Sequence, residues 1–358
     1  ATMVTAGVYL IARTHTIFEL APAAMRVVAV TGMVTLLLSG FAALGQRDIK
    51  RILAYSTISQ IGYMVLGLGV GSLAAAVFHL MSHAFFKALL FLAAGAIIHS
   101  YGGEHDIFKM GGLRSRRPIA FWTFLIGASS LAAVPLVTSG FYSKGQVLDA
   151  AWGYPHPIGI WLWAAGVVGA FLTALYSFRA VVVVSFGEPR TEPTGSYGVL
   201  MVIPLVILSL LSLGGGGIRI PEFLGPLNLP GHPVASMHLI PEVVAEGVTV
   251  IGIIVAYSLF YRPKDLEARS RTFAVFHGGL GFDFVYDRLL VRPFLWIATA
   301  ARGDLIDGFY RGVAALANLG YRLLSFTQSG LLRWYVAGTV IGTVVLIGAA
   351  LLTAEVIS

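Results

Sequence analysis

The stretch AAAVFHLMSHAFFKALLFLAAGA, residues 74–96, is long and apolar enough to cross a membrane, yet it contains three ionisable side chains. His79, His83 and Lys87 follow one another at intervals of four residues, so they lie on one stripe of a helix. A charge in the middle of a bilayer is costly unless it meets a partner or water. The stripe therefore suggests a proton relay, and the plainer alternative is hydrogen bonding to neighbouring helices without titration.

The composition of the whole chain is that of a polytopic membrane protein. The chain is 57% hydrophobic and 11% charged, with a mean hydropathy of +0.83, whereas a soluble domain is about one quarter charged. The candidate crossings are 23–44, 52–71, 73–99, 118–150 (interrupted), 157–186, 198–214, 239–261 and 333–354. We therefore expect an all-α fold with about eight transmembrane helices, one of them broken. Residues 1–12 are predicted to be the end of a further helix.

Several kinds of chemistry are not indicated. The chain has no cysteine, which excludes thiol catalysis, disulfides, cysteine zinc sites and iron–sulfur clusters bound by this chain. The segment HLMSH lacks the glutamate of an HExxH motif, so no metal site is predicted. No nucleotide loop, Ser/His/Asp arrangement, haem motif or flavin motif is found, and we expect no cofactor and no redox chemistry here. The net charge of +7 comes from loops and does not indicate nucleic-acid binding.

Basic residues fall in alternate loops, which predicts the orientation of the chain. One set of loops holds Arg47, Lys50, Arg51, Lys109, Arg114, Arg116, Arg117, Arg190, Arg262, Lys264, Arg269 and Arg271. The other set holds Arg13 and Arg219. By the positive-inside rule the first set faces the cytoplasm, and the alternation supports the predicted crossings.

The distribution of polar residues divides the chain into four segments. Residues 1–190 contain the polar intramembrane residues, residues 191–261 two plainer helices that look like scaffold, and residues 333–358 a last transmembrane anchor. Residues 262–332 comprise a loop and a segment in which apolar residues recur at helical spacing with charges between them. This pattern predicts a long amphipathic helix along the membrane surface. It would lie on lipid or brace neighbouring helices or subunits.

A second lysine interrupts another apolar stretch, LVTSGFYSKGQVL, residues 136–148. Gly140 and the upstream Pro135 predict that the helix carrying Lys144 is broken inside the membrane, and broken helices mark ion pathways in transporters. Alternatively, the aliphatic part of the Lys144 side chain extends through the apolar region so that its amine reaches the membrane surface. Asp149 is the nearest carboxylate in sequence, and nothing in the sequence puts it in contact with the lysine.

The third polar region is GQRDIKRILAYSTISQIGYM, residues 45–64. Asp48 and Lys50 stand at the predicted cytoplasmic start of a helix, and Ser59 and Gln60 continue the polarity inward. This polar run suggests an entry for water. The plainer alternative is that Lys50 is an ordinary positive charge flanking a membrane helix.

Six stretches closely resemble one family of membrane proteins. They are DIKRILAYSTISQIGYM (48–64), FHLMSHAFFKALLFLAAGAIIH (78–99), MGGLR (110–114), VPLVTSGFYSK (134–144), GFDFVYDRLLVRPF (281–294) and LRWYVAGTVIG (332–342). The first four resemble the antiporter-like subunits of bacterial NADH:quinone oxidoreductase, respiratory complex I. The last two resemble the subunit L family in particular, whose mitochondrial equivalent is NADH dehydrogenase subunit 5.

The resemblance spans essentially the whole chain, and it implies that the chain is the C-terminal portion of such a subunit. Only the second of the family's two inverted repeats would then be present. The residues that match the family's central hydrophilic axis are Lys50, His79, His83 and Lys87. Lys144 matches the lysine proposed as the proton exit. An acidic residue commonly follows that lysine, whereas Gly145 and Gln146 follow it here, so the usual counter-charge is missing from the sequence.

The resemblance also implies a function. The chain would belong to a proton-translocating subunit whose complex binds NADH, FMN, iron–sulfur clusters and quinone in other subunits. Its partners would be other antiporter-like and membrane-arm subunits and lipid, in the bacterial inner (plasma) membrane, with the basic loops and lateral helix on the cytoplasmic side. One alternative is the large subunit of a multi-subunit cation/proton antiporter, but the lateral helix before the last span favours complex I. Another alternative is a scaffold with degenerated pumping residues, which the retained histidines and lysines contradict.

Overall fold

The computed structural model describes residues 3–186, 190–192, 194–195, 197–218, 239–261, 276, 278–301, 305–326, 328 and 330–357. Their regular structure is helical throughout. The α-helices are α1 (Ala6–Arg13), α2 (His15–Glu19), α3 (Pro22–Gly45), α4 (Ile49–Gly69), α5 (Leu73–Ser100), α6 (Leu113–Arg116), α7 (Pro118–Ala132), α8 (Ser139–Trp152), α9 (Gly159–Ser185), α10 (Val199–Gly214), α11 (Leu239–Phe260), α12 (Phe282–Tyr286), α13 (Arg292–Ala300), α14 (Leu305–Ser325) and α15 (Leu332–Ile357). The predicted loop residues Arg219, Arg262, Lys264, Arg269 and Arg271 lie outside the described residues.

Seven helices in the described part are long and apolar enough to cross a membrane. They are α3, α4, α5, α9, α10, α11 and α15. The predicted interrupted crossing, residues 118–150, consists of two shorter helices, α7 and α8, which are separated by residues 133–138. The prediction of an all-α polytopic membrane fold is confirmed. The predicted N-terminal partial helix corresponds to the short apolar helix α1.

The chain forms two compact units, Ala1–Phe284 and Val285–Ser358. The first contains the buried core. In the second, none of the described side chains is buried. In the amphipathic segment, α12 continues through a π-helical turn at Asp287–Val291 into α13, and α14 is a further helix of the same segment.

Helices α3 and α4 touch along their backbones because glycines face each other. A Cβ atom at Gly32 would be 2.4 Å from the backbone nitrogen of Leu66, and one at Gly62 would be 2.6 Å from that of Leu36. Small residues permit such close packing of membrane helices. The contact also fixes the rotation of α4, whose Ser59 hydroxyl donates a hydrogen bond to the Leu36 carbonyl at 3.1 Å.

A buried arginine holds the end of α3 against α9. The Arg179 side chain is fully buried, and its two terminal nitrogens donate hydrogen bonds to the carbonyls of Leu44 and Gln46, each at 2.6 Å. Its guanidinium also lies 5.7 Å from the ring centroids of Phe108 and Phe260. The last carbonyls of a helix lack partners within the helix, and a cation there is favourable. Arg179 therefore satisfies the C-terminus of α3 from the neighbouring helix.

Candidate functional site

His79 connects three helices in the interior of the first unit. Its side chain is fully buried on α5. Its Nδ1 lies 3.0 Å from the Ser143 hydroxyl on α8, and its Nε2 lies 3.2 Å from the Gln60 side-chain oxygen on α4. A neutral imidazole donates from one nitrogen and accepts at the other. With the Gln60 amide in this orientation, Nε2 carries the hydrogen and the Ser143 hydroxyl donates to Nδ1.

Lys144 is adjacent to Ser143, and its position depends on the break between α7 and α8. Its amine is buried, donates a hydrogen bond to the Leu131 carbonyl at 2.9 Å and lies 5.1 Å from the ring centroid of Tyr63. In a continuous helix the Leu131 carbonyl would accept from the backbone N–H of residue 135, but Pro135 has none. The broken helix therefore supplies the acceptor that holds the lysine.

Lys87 is anchored to α4 in a similar way. Its amine is buried on α5 and donates hydrogen bonds to the Leu53 carbonyl, at 3.2 Å, and to the Ser56 hydroxyl. Ser56 and Gln60 are one helical turn apart on α4, so the partners of Lys87 and His79 share one face of that helix. The structure thus brings together three of the predicted residues, His79, Lys87 and Lys144, around α4.

His83 lies on the same stripe but borders a cavity. This cavity has a volume of about 540 Å³ and is lined by His83, Lys87 and Thr5, among others. His83 is 2% exposed, and its Nε2 has no hydrogen-bond partner among the described residues. The other lining residues are apolar, so His83, Lys87 and Thr5 are the polar groups of this cavity among the described residues. His79 therefore belongs to the packed interior, whereas His83 faces the open space.

Lys50 and Asp48 are at the edge of the first unit. Lys50 is exposed in the first turn of α4 and is not among the buried residues just described. Asp48 is the N-cap of α4, because its carboxylate accepts from the backbone nitrogens of Lys50 and Arg51 at 2.7 and 3.2 Å. Its other oxygen lies 3.2 Å from Nδ1 of His105 in the loop after α5. Asp48 thus organises the helix start.

Asp149 shares a second, smaller cavity with Lys144. This cavity has a volume of about 50 Å³, room for a few waters, since one needs roughly 10–15 Å³. Glu242 and Glu246 of α11 line it as well. The sequence pattern of residues 191–261 predicted plain scaffold, so these two carboxylates were not among the predicted site residues. Two acids spaced four residues apart in an apolar crossing were the available signal.

The buried groups are amines, imidazoles, hydroxyls and amides. Such groups can donate and accept protons in sequence without a metal. Among the residues that the structure describes, no group of three or more His, Asp and Glu side chains could hold a metal ion. The arrangement is suited to moving protons between the two cavities.

The N-terminal part of the chain matches one family of membrane proteins. Residues 1–173 match the family described as NADH:quinone oxidoreductase/Mrp antiporter, TM. The fold is similar to that of a chain in the structure of the Mrp complex from Dietzia sp. DQ12-45-1b, with a TM-score of 0.66 and 24% identity over 90% of this chain and 37% of that chain. A chain of the membrane-bound sulfane sulfur reductase, an archaeal respiratory membrane complex, gives a TM-score of 0.58 and 25% identity over 83% of this chain and 56% of that one.

The curated relatives are more specific. The chain is 46% identical to NADH-quinone oxidoreductase subunit L of Pseudomonas aeruginosa, over 98% of this chain and 58% of the relative. It is 44% identical to subunit L of Escherichia coli, over 97% of this chain and 57% of the relative. The resemblance to subunit L is therefore confirmed, and these relatives are subunits of an enzyme complex. The chain spans a little under three fifths of their length.

Proposed function

We propose that this chain is part of a proton-translocating, antiporter-like membrane subunit of NADH:quinone oxidoreductase. Proton movement would be coupled to NADH oxidation by quinone elsewhere in the complex. The observation that carries the proposal is the buried set of Lys87, His79 and Lys144, held together by partners on α4, α7 and α8. The identity to subunit L along nearly the whole chain supports the same conclusion.

In this proposal the two cavities are the ends of the path. Water in the larger cavity would exchange protons with His83 and Lys87, and water in the smaller one would exchange them with Lys144. Between them, His79 can accept a proton at Nδ1 while Ser143 reorients its hydroxyl. Lys50 would attract water at the surface of α4, at the helix start that the Asp48 cap stabilises. This chain would perform no redox chemistry, and other subunits would bind NADH, FMN, iron–sulfur clusters and quinone.

The segments have separate roles in the proposal. Residues 1–190 would be the second half of the proton-channel module, residues 191–261 two additional membrane helices, and residues 333–358 an anchor. Residues 262–332 would lie on the cytoplasmic side of the bacterial inner membrane and brace neighbouring membrane-arm subunits. Exposed apolar side chains along α13 and α14, among them Phe294 and Phe309, support a surface that another protein or lipid covers.

The replacement Lys144→Ala, made in the chromosomal gene, tests the function. Inverted membrane vesicles give NADH-driven proton uptake and NADH oxidation in the same sample, and blue-native gels report assembly. We expect an assembled complex that takes up fewer protons per NADH oxidised. Lys109→Ala is the control, because Lys109 is an exposed lysine in a loop, paired with Glu104 at 3.4 Å. Normal proton uptake in the Lys144→Ala complex would overturn the proposed exit role.

The brace is tested by deleting residues 284–330 while retaining the last span. We expect loss of this subunit from otherwise intact complexes, because the deletion removes the apolar surface of α13 and α14. A complex that keeps the shortened subunit firmly bound after purification in detergent would contradict the brace.

The second candidate is the large subunit of a multi-subunit cation/proton antiporter. The family description names both kinds of protein, and the fold is similar to a chain of the Mrp complex. The relatives at 46% and 44% identity, which cover the C-terminal segments too, favour the oxidoreductase. Mass spectrometry of the proteins that co-purify with the tagged subunit decides between them: NADH dehydrogenase subunits support the first function and antiporter subunits the second.

A further inference from the structure

Ser130, in the last turn of α7, is a fully buried serine whose hydroxyl contacts two other helices. It donates a hydrogen bond to the Ser212 carbonyl of α10 at 3.2 Å and accepts one from the Gly140 backbone N–H of α8 at 3.2 Å. It also lies 3.1 Å from the Ser139 hydroxyl. A serine hydroxyl has one hydrogen and two accepting lone pairs. Because its hydrogen points to the carbonyl, Ser139 donates the third bond, and every bonding position of the hydroxyl is used.

These hydrogen bonds act on two helix ends. Gly140 is the second residue of α8, and the first four N–H groups of a helix have no partner within it. The N-cap residue usually supplies a partner, but the side chain of Thr138 makes no capping hydrogen bond here. Ser212 lies in the last turn of α10, where carbonyls lack partners in the same way. Ser130 therefore serves the start of α8 and the end of α10 from a third helix.

The connection between α7 and α8 has a backbone conformation that needs support from its surroundings. Ala133 and Leu136 have φ angles of 64° and 66°. Residues other than glycine rarely adopt positive φ, and they keep it only where neighbouring contacts enforce it. The hydrogen bonds of Ser130 to Ser139 and Gly140 join the two sides of this connection. The hydroxyl is thus among the contacts that hold the break in its observed form.

We propose that Ser130 is a positioning residue for proton transfer at Lys144. This role rests on the proposed function. Leu131 follows Ser130 on α7, and its carbonyl accepts the hydrogen bond from the Lys144 amine at 2.9 Å. Lys144 lies four residues after Gly140, one helical turn beyond the N–H that Ser130 binds. The same turn of α7 therefore holds both the start of α8 and the amine on its next turn, and the Ser130 hydroxyl keeps the amine within reach of its acceptor.

The test is Ser130→Ala in the complete complex, with assembly checked on blue-native gels. We expect NADH-driven proton uptake in inverted vesicles to fall by at least about twofold, well within the roughly hundredfold that a 1 Å misplacement of a reacting group can cost. Ser100→Ala is the matched control. Ser100 is also fully buried, but its hydroxyl donates to the Ala96 carbonyl of its own helix at 2.8 Å. Uptake in this control should be unchanged.

A double variant separates positioning from a general effect on the fold. If Ser130 acts through Lys144, adding Ser130→Ala to Lys144→Ala should reduce proton uptake no further, because the group that it positions is already gone. A further reduction as large as that in Ser130→Ala alone would overturn the positioning role.

The outcomes also separate this inference from the proposed function. Normal uptake in Ser130→Ala together with defective uptake in Lys144→Ala would overturn the positioning role and leave the function standing. Normal uptake in both would overturn the function itself. If Ser130→Ala does not assemble, Ser130→Cys replaces the hydroxyl by a thiol, which is a weak donor and a weak acceptor. We then expect reduced uptake, and normal uptake in Ser130→Cys would refute the role.

Discussion

Replacing Gly140 by alanine tests whether the contact between α7 and α8 positions Lys144. An added Cβ would lie 1.8 Å from the Ser130 carbonyl oxygen, far below the 3.0 Å at which neighbouring atoms must move. Because both sides of this contact are backbone, α8 must shift by roughly 1.2 Å to reach even that limit. Lys144 lies one turn further along α8, 2.9 Å from the carbonyl of Leu131. A shift of that size would stretch this bond past about 3.6 Å, where it ceases to be a hydrogen bond.

The expected cost has two parts. Overpacking a tight contact typically costs about 1–3 kcal/mol, and losing one hydrogen bond costs about 1 kcal/mol, so Gly140→Ala should destabilise the subunit by about 2–4 kcal/mol. The matched control is Gly145→Ala on the same helix, where an added Cβ meets nothing within 4 Å. Alanine is favoured over glycine within a helix by roughly 0.5–1 kcal/mol, so the control should be neutral or stabilising.

The measurements are thermal unfolding of the purified complex and NADH-driven proton uptake in vesicles. We expect Gly140→Ala to lower both the unfolding temperature and the uptake per NADH, and Gly145→Ala to preserve both. The reasoning would be refuted if Gly140→Ala behaved like the control, because the backbone contact would then not determine where Lys144 lies.

Three further predictions concern other parts of the first unit. Arg179→Leu leaves two buried carbonyls of the α3 terminus without donors and should cost about 2–6 kcal/mol, measured by thermal unfolding; a loss under 1 kcal/mol, roughly that of a surface substitution, would argue against this anchor. Hydrogen bonds from the backbone N–H groups of Asp106 and His105 lower the pKa of the Glu104 carboxyl below its ordinary value of 4.5. The stabilising contribution of the Glu104 carboxylate is therefore complete above about pH 4.5 and is lost as the pH falls through the lowered pKa. Glu104→Gln should therefore reduce the fall of the unfolding temperature at acid pH. An unaltered fall would contradict this assignment. If His79 and Lys144 act on one path, the double alanine variant should pump no more slowly than the worse single variant, whereas additive losses would indicate separate paths.

The fold could be predicted from sequence because hydrophobic length determines membrane crossings. Each crossing is a run of roughly 20 apolar residues that stands out without knowledge of its neighbours. The broken crossing was also predictable, since Pro135 and Gly140 are local signals. The amphipathic segment was predicted as one long helix, and the π-helical turn at Asp287–Val291 was not foreseen because it leaves no distinct sequence pattern.

The candidate site could be predicted only in part, because sequence shows which residues share a helix face but not what faces them. The stripe containing His79 and His83 followed from helical spacing. The different environments of the two histidines could not be predicted in this way, because the partners of His79 lie 19 and 64 residues away in the sequence. Arg179 was a charge within a predicted crossing, which was a usable signal, but its carbonyl partners could come only from the packing.

The proline between α7 and α8 limits how this protein can be gated. The missing N–H of Pro135 is a covalent property of the chain, so no rearrangement of the backbone can give the Leu131 carbonyl its helical donor. Rewinding this stretch into a continuous α-helix would therefore leave the Leu131 carbonyl without its i+4 donor and still available to Lys144. We therefore expect a gate at this point to use motion of the lysine side chain rather than rewinding of the helix. The break between α7 and α8 is in this sense encoded in the covalent chain, at Pro135.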